Sequence, residues 1–138
     1  MGWLDDEAAH GYVVRGAQWN VYAPTIVRQA ALPAPPGGAL SDSGRSVTGY
    51  QEFTVQTQAG KDLRIVDRHL TAVAQRLRVS VNGRDAGVWF WPPAPGWAET
   101  SFLIPAAAVT GAQTRVRLTL LPDPTFAPLQ AFYYWFYQ

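Results

Sequence analysis

Seven residues constrain this chain more than any others: from Arg76 to Asn82, Leu77, Val79 and Val81 alternate strictly with Arg76, Arg78 and Ser80. A period of two marks a strand with one face in a core and the other in water, and it does not suit a helix. Asn82-Gly83 comes at once after it. Both residues accept positive φ, which a two-residue hairpin turn needs, so 76–82 is expected to fold back and pair with 86–91. The pattern recurs along the chain. Phe53 and Val55 alternate with Glu52, Thr54 and Gln56, and Leu63 and Ile65 come after the turn Ala59-Gly60-Lys61-Asp62. Phe102 and Ile104 share a face, and Val116, Leu118 and Leu120 alternate with Arg115, Arg117 and Thr119. Nearer the start, Gly11–Arg15 and Gln18–Tyr22 form two strand runs with a bulge or bend at Gly16-Ala17, and Thr25–Leu32 is β-prone.

Proline and glycine set the boundaries. Pro33 to Ser46 reads as a long surface loop, Pro92 to Gly96 breaks one strand, and Pro122 to Pro128 separates the last two. Residues 1–10 carry no strand pattern and are expected to form an arm or short turn, while Pro105 to Gly111 has room for one helical turn. Eight to ten short strands with no usable helical period predict an all-β, two-sheet antiparallel β-sandwich. At 138 residues the chain suits a single domain spanning 1–138. The last strand, Ala131 to Tyr137, has Phe132, Tyr134 and Phe136 on one side and Tyr133, Trp135 and Tyr137 on the other. A strand aromatic on both faces is expected to be central, with one face in the core and one under a loop or lining a groove.

Composition narrows the function by exclusion. Charged residues are 15% of the chain against 48% apolar ones, which rules out a disordered chain. A net charge of +1 argues against nucleic acid as a partner. The absence of cysteine removes thiol catalysis, disulfides and thiolate zinc sites. No apolar run reaches the ~18 residues of a membrane span, so direct membrane insertion is not expected. The acidic start Met1 to Glu7 lacks the cationic flank and apolar run of a signal peptide, so any targeting signal is expected outside these residues.

Catalytic constellations are weak. Asp67-Arg68-His69 sets an acid two residues before a histidine, but no serine elbow completes a triad, and His69 reads as a loop residue after a strand end. A small hydrolase built on that pair would lack its nucleophile. Asp5-Asp6-Glu7 with His10 lacks the ligand spacing and tight-turn glycine of a hard-cation loop. No cofactor is expected, and the chain is read as non-enzymatic.

Aromatics are the one residue class in excess, at 13%. If Val88 and Phe90 face inward, strand alternation puts Trp89 and Trp91 on the opposite side, where a ligand, a loop or another chain must cover them. Flat rings beside polar groups form a stacking platform for sugars. Trp89, Trp91 and Trp97 are therefore the candidate ligand contacts, with Arg84 and Asp85 at the hairpin tip as polar partners.

From about Tyr50 onward the chain resembles bacterial galactose-binding-like jelly-roll modules. The resemblance rests on Val79-Ser-Val81-Asn82-Gly83, on Trp97 five residues before Phe102, on Ile104-Pro105, and on the Arg115-Val-Arg-Leu118 strand. Such modules accompany catalytic domains as carbohydrate-binding modules, or stand on the outer side of multi-pass glycosyltransferase-like membrane proteins. The resemblance thus implies an extracytoplasmic module binding carbohydrate or cell-envelope glycan. Its alternative is a structural domain that docks on a parent membrane protein chain. Many relatives carry a structural calcium, but no matching acidic loop stands in this sequence.

Overall fold

A computed structural model describes residues 4–20, 44–122 and 127–138. A short helix, α1 (Leu4–Ala9), precedes eight strands: β1 (Val13–Asn20), β2 (Gly44–Gln56), β3 (Leu63–Leu70), β4 (Gln75–Val81), β5 (Arg84–Trp91), β6 (Trp97–Ile104), β7 (Gln113–Leu120) and β8 (Leu129–Tyr137). The helical turn expected in 105–111 is a 3-10 turn at Ala106–Ala108. The β-prone run 25–32, the end of the 18–22 run and most of the Pro-rich loop lie outside the described residues. The rest of that loop is corrected: Gly44, Arg45 and Ser46 already belong to β2. Arg45, Ser46 and Val47 are claimed by ladders to β1 and to β8, and Val47 is fully buried.

All pairings are antiparallel, in the order β5-β4-β7-β2-β8-β3-β6, with β1 added on β2. β2 turns the corner between layers. Its residues 45–47 pair with β8, and its residues 50–56 pair with β7. One layer is therefore β5-β4-β7-β2 and the other β8-β3-β6, which makes a two-sheet sandwich. The inward residues of both layers meet in one core: Phe53, Val55, Leu77, Val79, Val116 and Leu118 from the first, Leu63, Ile65, Ile104, Leu129 and Tyr134 from the second. The path's two ends also meet, Trp89 of β5 packing on Phe102 of β6 with ring centroids 5.9 Å apart. β8 lies between β2 and β3, central as its two aromatic faces require. β1 runs unbroken through Gly16, where its register to β2 shifts between Arg15 and Ala17.

Candidate functional site

The Asn82-Gly83 turn forms as expected, with φ of +49° and +83°. The residues after the turn reverse the expected faces of β5. A plain two-residue hairpin would put Ala86 opposite Val79 and Val88 opposite Leu77. Instead the register shifts, so that Val79 faces Gly87 and Leu77 faces Trp89. Residues directly opposite in an antiparallel pair share a face, so one extra residue moves the whole strand to the other parity. The device is local. Gly87 takes a φ of +121°, which a side chain would strain, and its N–H donates to Asp85 Oδ1 at 2.9 Å. As a result Trp89 and Trp91 are 2% and 0% exposed, inside the core, while Val88 and Phe90 are 50% and 51% exposed. As the chain is folded, Trp89 and Trp91 offer no ring face to a ligand. Trp97 opens β6 at its pairing with Leu70, and its side chain lies outside the described residues.

Arg84 and Asp85 stand at the hairpin tip. Both line a cleft of about 440 Å³ closed on its far side by Pro105, Ala107, Ala108 and Thr110. The Asp85 carboxylate is already engaged, holding Gly87 through Oδ1 and lying 3.3 Å from Arg78 Nη1 through Oδ2. Its first role is to shape the bulge.

His69 is a strand residue rather than a loop residue, because β3 runs on to Leu70. Its Nδ1 lies 3.0 Å from Asp67 Oδ2, and both side chains are fully buried. The imidazole stacks on the Trp91 indole at 4.2 Å and 17°. Burial pushes the Asp67 carboxyl well above its usual range and pulls the His69 imidazole down to about 4, favouring the neutral form of each. A chain of polar groups continues next to them: Tyr12 Oη donates to Gln51 Oε1 at 2.9 Å, and Gln51 Nε2 donates to Tyr134 Oη. Burial likewise pushes the Tyr134 hydroxyl up. The acid–histidine pair is thus sealed between the sheets, with His69 Nε2 lacking a hydrogen-bond partner and no hydroxyl nucleophile on it. Among the described residues no three His, Asp or Glu side chains gather where a metal ion could sit.

The second layer carries a surface that sequence reasoning did not single out as a site. Tyr134 and Phe136 point into the sandwich, so Tyr133, Trp135 and Tyr137 stand on the outer face of β8. Phe132 is the extra residue where the β3–β8 register shifts. Cross-strand pairing sets Tyr133, Trp135 and Tyr137 beside Arg68, Val66 and Arg64, and these beside Glu99, Ser101 and Leu103. The Tyr133 and Trp135 rings lie 4.6 Å apart, the Arg68 guanidinium sits 5.0 Å over Trp135, and Tyr137 is 54% exposed. Arg68 also donates to Glu99 Oε1 from Nε and Nη2, at 3.1 and 3.0 Å. Three rings in a row, flanked by charged groups, combine apolar surface with hydrogen-bonding edges. The signal was present in the alternation of 133, 135 and 137, but the tryptophan pair on β5 outweighed it.

The fold is that of carbohydrate-binding modules. A family 35 carbohydrate-binding module from Clostridium thermocellum superposes with a TM-score of 0.60 at 10% identity, over 91% of each chain. CBM35 from Paenibacillus barcinonensis gives 0.62 at 9% identity over 93% of each chain. The GH26-CBM35 β-(1,4)-mannanase of Podospora anserina matches over 91% of this chain and 25% of its own, with a TM-score of 0.59 at 9% identity. No protein-family model matches the chain, and no curated protein does so by sequence.

Proposed function

We propose that this chain is a non-catalytic glycan-binding module that acts outside the cytoplasm, beside other domains. The observation that carries the reading is the ring row Tyr133, Trp135 and Tyr137 on the outer face of β8, on a sandwich whose structural neighbours are carbohydrate-binding modules. A sugar's C–H face stacks on the exposed Tyr137 and the edge of Trp135, while Arg64 and Glu99 meet its hydroxyls. Arg84 in the hairpin-tip cleft is a second polar contact, at the opposite layer. The structural neighbours offer no support for a glycosyltransferase-like membrane parent. Among the described residues no helix is long and apolar enough to cross a membrane.

Titration with a panel of soluble neutral glycans, monitored by tryptophan fluorescence and amide shifts, tests the reading. Affinities between about millimolar and micromolar are expected. Tyr137→Ala should weaken them about tenfold, in keeping with the loss of one stacking ring. A panel in which no glycan perturbs the Trp135 or Tyr137 resonances overturns the ring row as the site.

A further inference from the structure

The other outer face has a different chemistry. Cross-strand pairing lines up Arg15, Tyr50, Thr119, Arg78 and Val88 in one row across β1, β2, β7, β4 and β5. The next row holds Glu52, Arg117 and Ser80, with Asp85 opposite Ser80. Arg115 lies beside Thr54, and Arg76 beside Phe90. Alternation puts all of these on the solvent side, because Val14, Phe53, Leu77, Val79, Val116 and Leu118 face the core. Among the described residues, five guanidinium groups therefore share one face with two carboxylates. Glu52 takes Arg117 at 2.8 Å, and Asp85 takes Arg78 at 3.3 Å. Arg15, Arg76 and Arg115 are exposed and have no acidic partner among the described residues. The whole chain carries only +1, so the excess is concentrated here.

We propose that this face, centred on Arg76, Arg78, Arg115 and Arg117 with Phe90 at its edge, binds an anionic polysaccharide. The site is distinct from the ring row, and it rests on the glycan-binding reading only for the class of polymer. Guanidinium groups match carboxylate and sulfate in a planar, two-pronged geometry, and three of the five here are left without a carboxylate. Neighbouring strands are about 4.8 Å apart and same-face residues about 6.7 Å apart along a strand, so the charges form a grid. A flexible chain with an anion on each sugar or each second sugar can register on such a grid. Phe90 lies directly across from Arg76 and is half exposed, which pairs one apolar ring with one cation. That unit suits an acidic sugar, whose ring has an apolar face and an anionic edge. Nucleic acid suits it less well, since a duplex draws on about six to ten phosphate contacts.

The test uses the whole chain with polygalacturonate for carboxylate, dextran sulfate for sulfate and dextran as the neutral polymer, at about 50 mM and about 200 mM salt. Binding to one or both acidic polymers, none to dextran by this face, and loss on adding salt are expected. The outcome with each acidic polymer tells which anion is read. Arg76→Ala with Arg115→Ala should weaken acidic binding at least about tenfold, and Phe90→Ala should weaken it further. Lys61→Ala, in the exposed connection between β2 and β3 and on none of the cross-strand rows, should leave it unchanged. Each variant's denaturation midpoint guards against misfolding. Acidic binding unaffected by the double substitution overturns the proposal, as does equal affinity for a DNA duplex or for anionic vesicles. Loss of neutral-glycan binding in Tyr137→Ala with acidic binding intact would separate the two sites. Failure of the neutral panel alone would leave the arginine face standing.

Discussion

At the scale of single residues, β5 holds the sharpest contrast. Trp91 is fully buried against His69 and Trp89, while its neighbour Phe90 is half in water. Trp91→Ala should cost about 3–5 kcal/mol of stability, since it removes a large core side chain and leaves a cavity. Phe90→Ala should stay within about 0.5 kcal/mol. Urea midpoints of the two variants read the parity of the strand directly, and equal losses would contradict it. His69 gives a pH dependence. Its unfolded imidazole titrates near 6.5 and its buried one near 4, so between those values the unfolded state binds more protons. Stability from this group is therefore present above about 6.5 and lost as the pH falls towards 4. Asp67 pulls the other way: its raised carboxyl holds a proton in the folded chain above the ordinary 3.8, and that contribution is lost as the pH rises. His69→Phe retains a ring against Trp91, removes the imidazole's titration and takes from Asp67 a partner that had been near its Oδ2. The drop in stability between about pH 7 and about pH 4.5 should be smaller in the variant than in the original chain. An equal drop would mean that the imidazole does not control this window.

At the scale of elements, the hairpin carries both the success and the failure of sequence reasoning. Strict alternation fixed the inward set of β4, and Asn82-Gly83 located the turn, because both signals are local and belong to consecutive residues. With Gly83 at a φ of +83°, Gly83→Val should lose about 1–2 kcal/mol, seen as a lower thermal midpoint, since a β-branched residue is strained there. The faces of β5 could not be read the same way. They depend on one inserted residue, and Gly87 looks like any other strand glycine until Asp85 is seen to hold its N–H. The start of β2 was hidden for a related reason: Arg45-Ser46-Val47 has little β character alone and is a strand because β1 and β8 flank it. The ring row on β8 was legible as an alternation but not as a surface, because which side lay inward depended on the placement of β3. His69 was misplaced because the strand end was set by composition, whereas the β3–β6 ladder extends to Leu70.

At the scale of the molecule, the two outer faces differ in kind: one carries a row of rings beside Arg64, Arg68 and Glu99, the other five guanidinium groups with two carboxylates. A sandwich of this sort can display two independent surfaces because its core is filled entirely by inward residues, which leaves every outward position free of packing duty. The layers are linked differently at their two margins. On one side β2 passes through both and ties them with backbone hydrogen bonds. On the other, β5 and β6 meet through Trp89 and Phe102, whose ring centroids lie 5.9 Å apart. One margin is therefore a continuous strand shared by both layers, and the other a seam of packed rings bridged by the loop 92–96. Such a seam opens without breaking a ladder, so the protein should breathe there first. In deuterium exchange, amides on the unpaired edges of β5 and β6 should lose protection well before those of β2 and β7, and Phe102→Ala should hasten that loss while leaving the β2 margin slow.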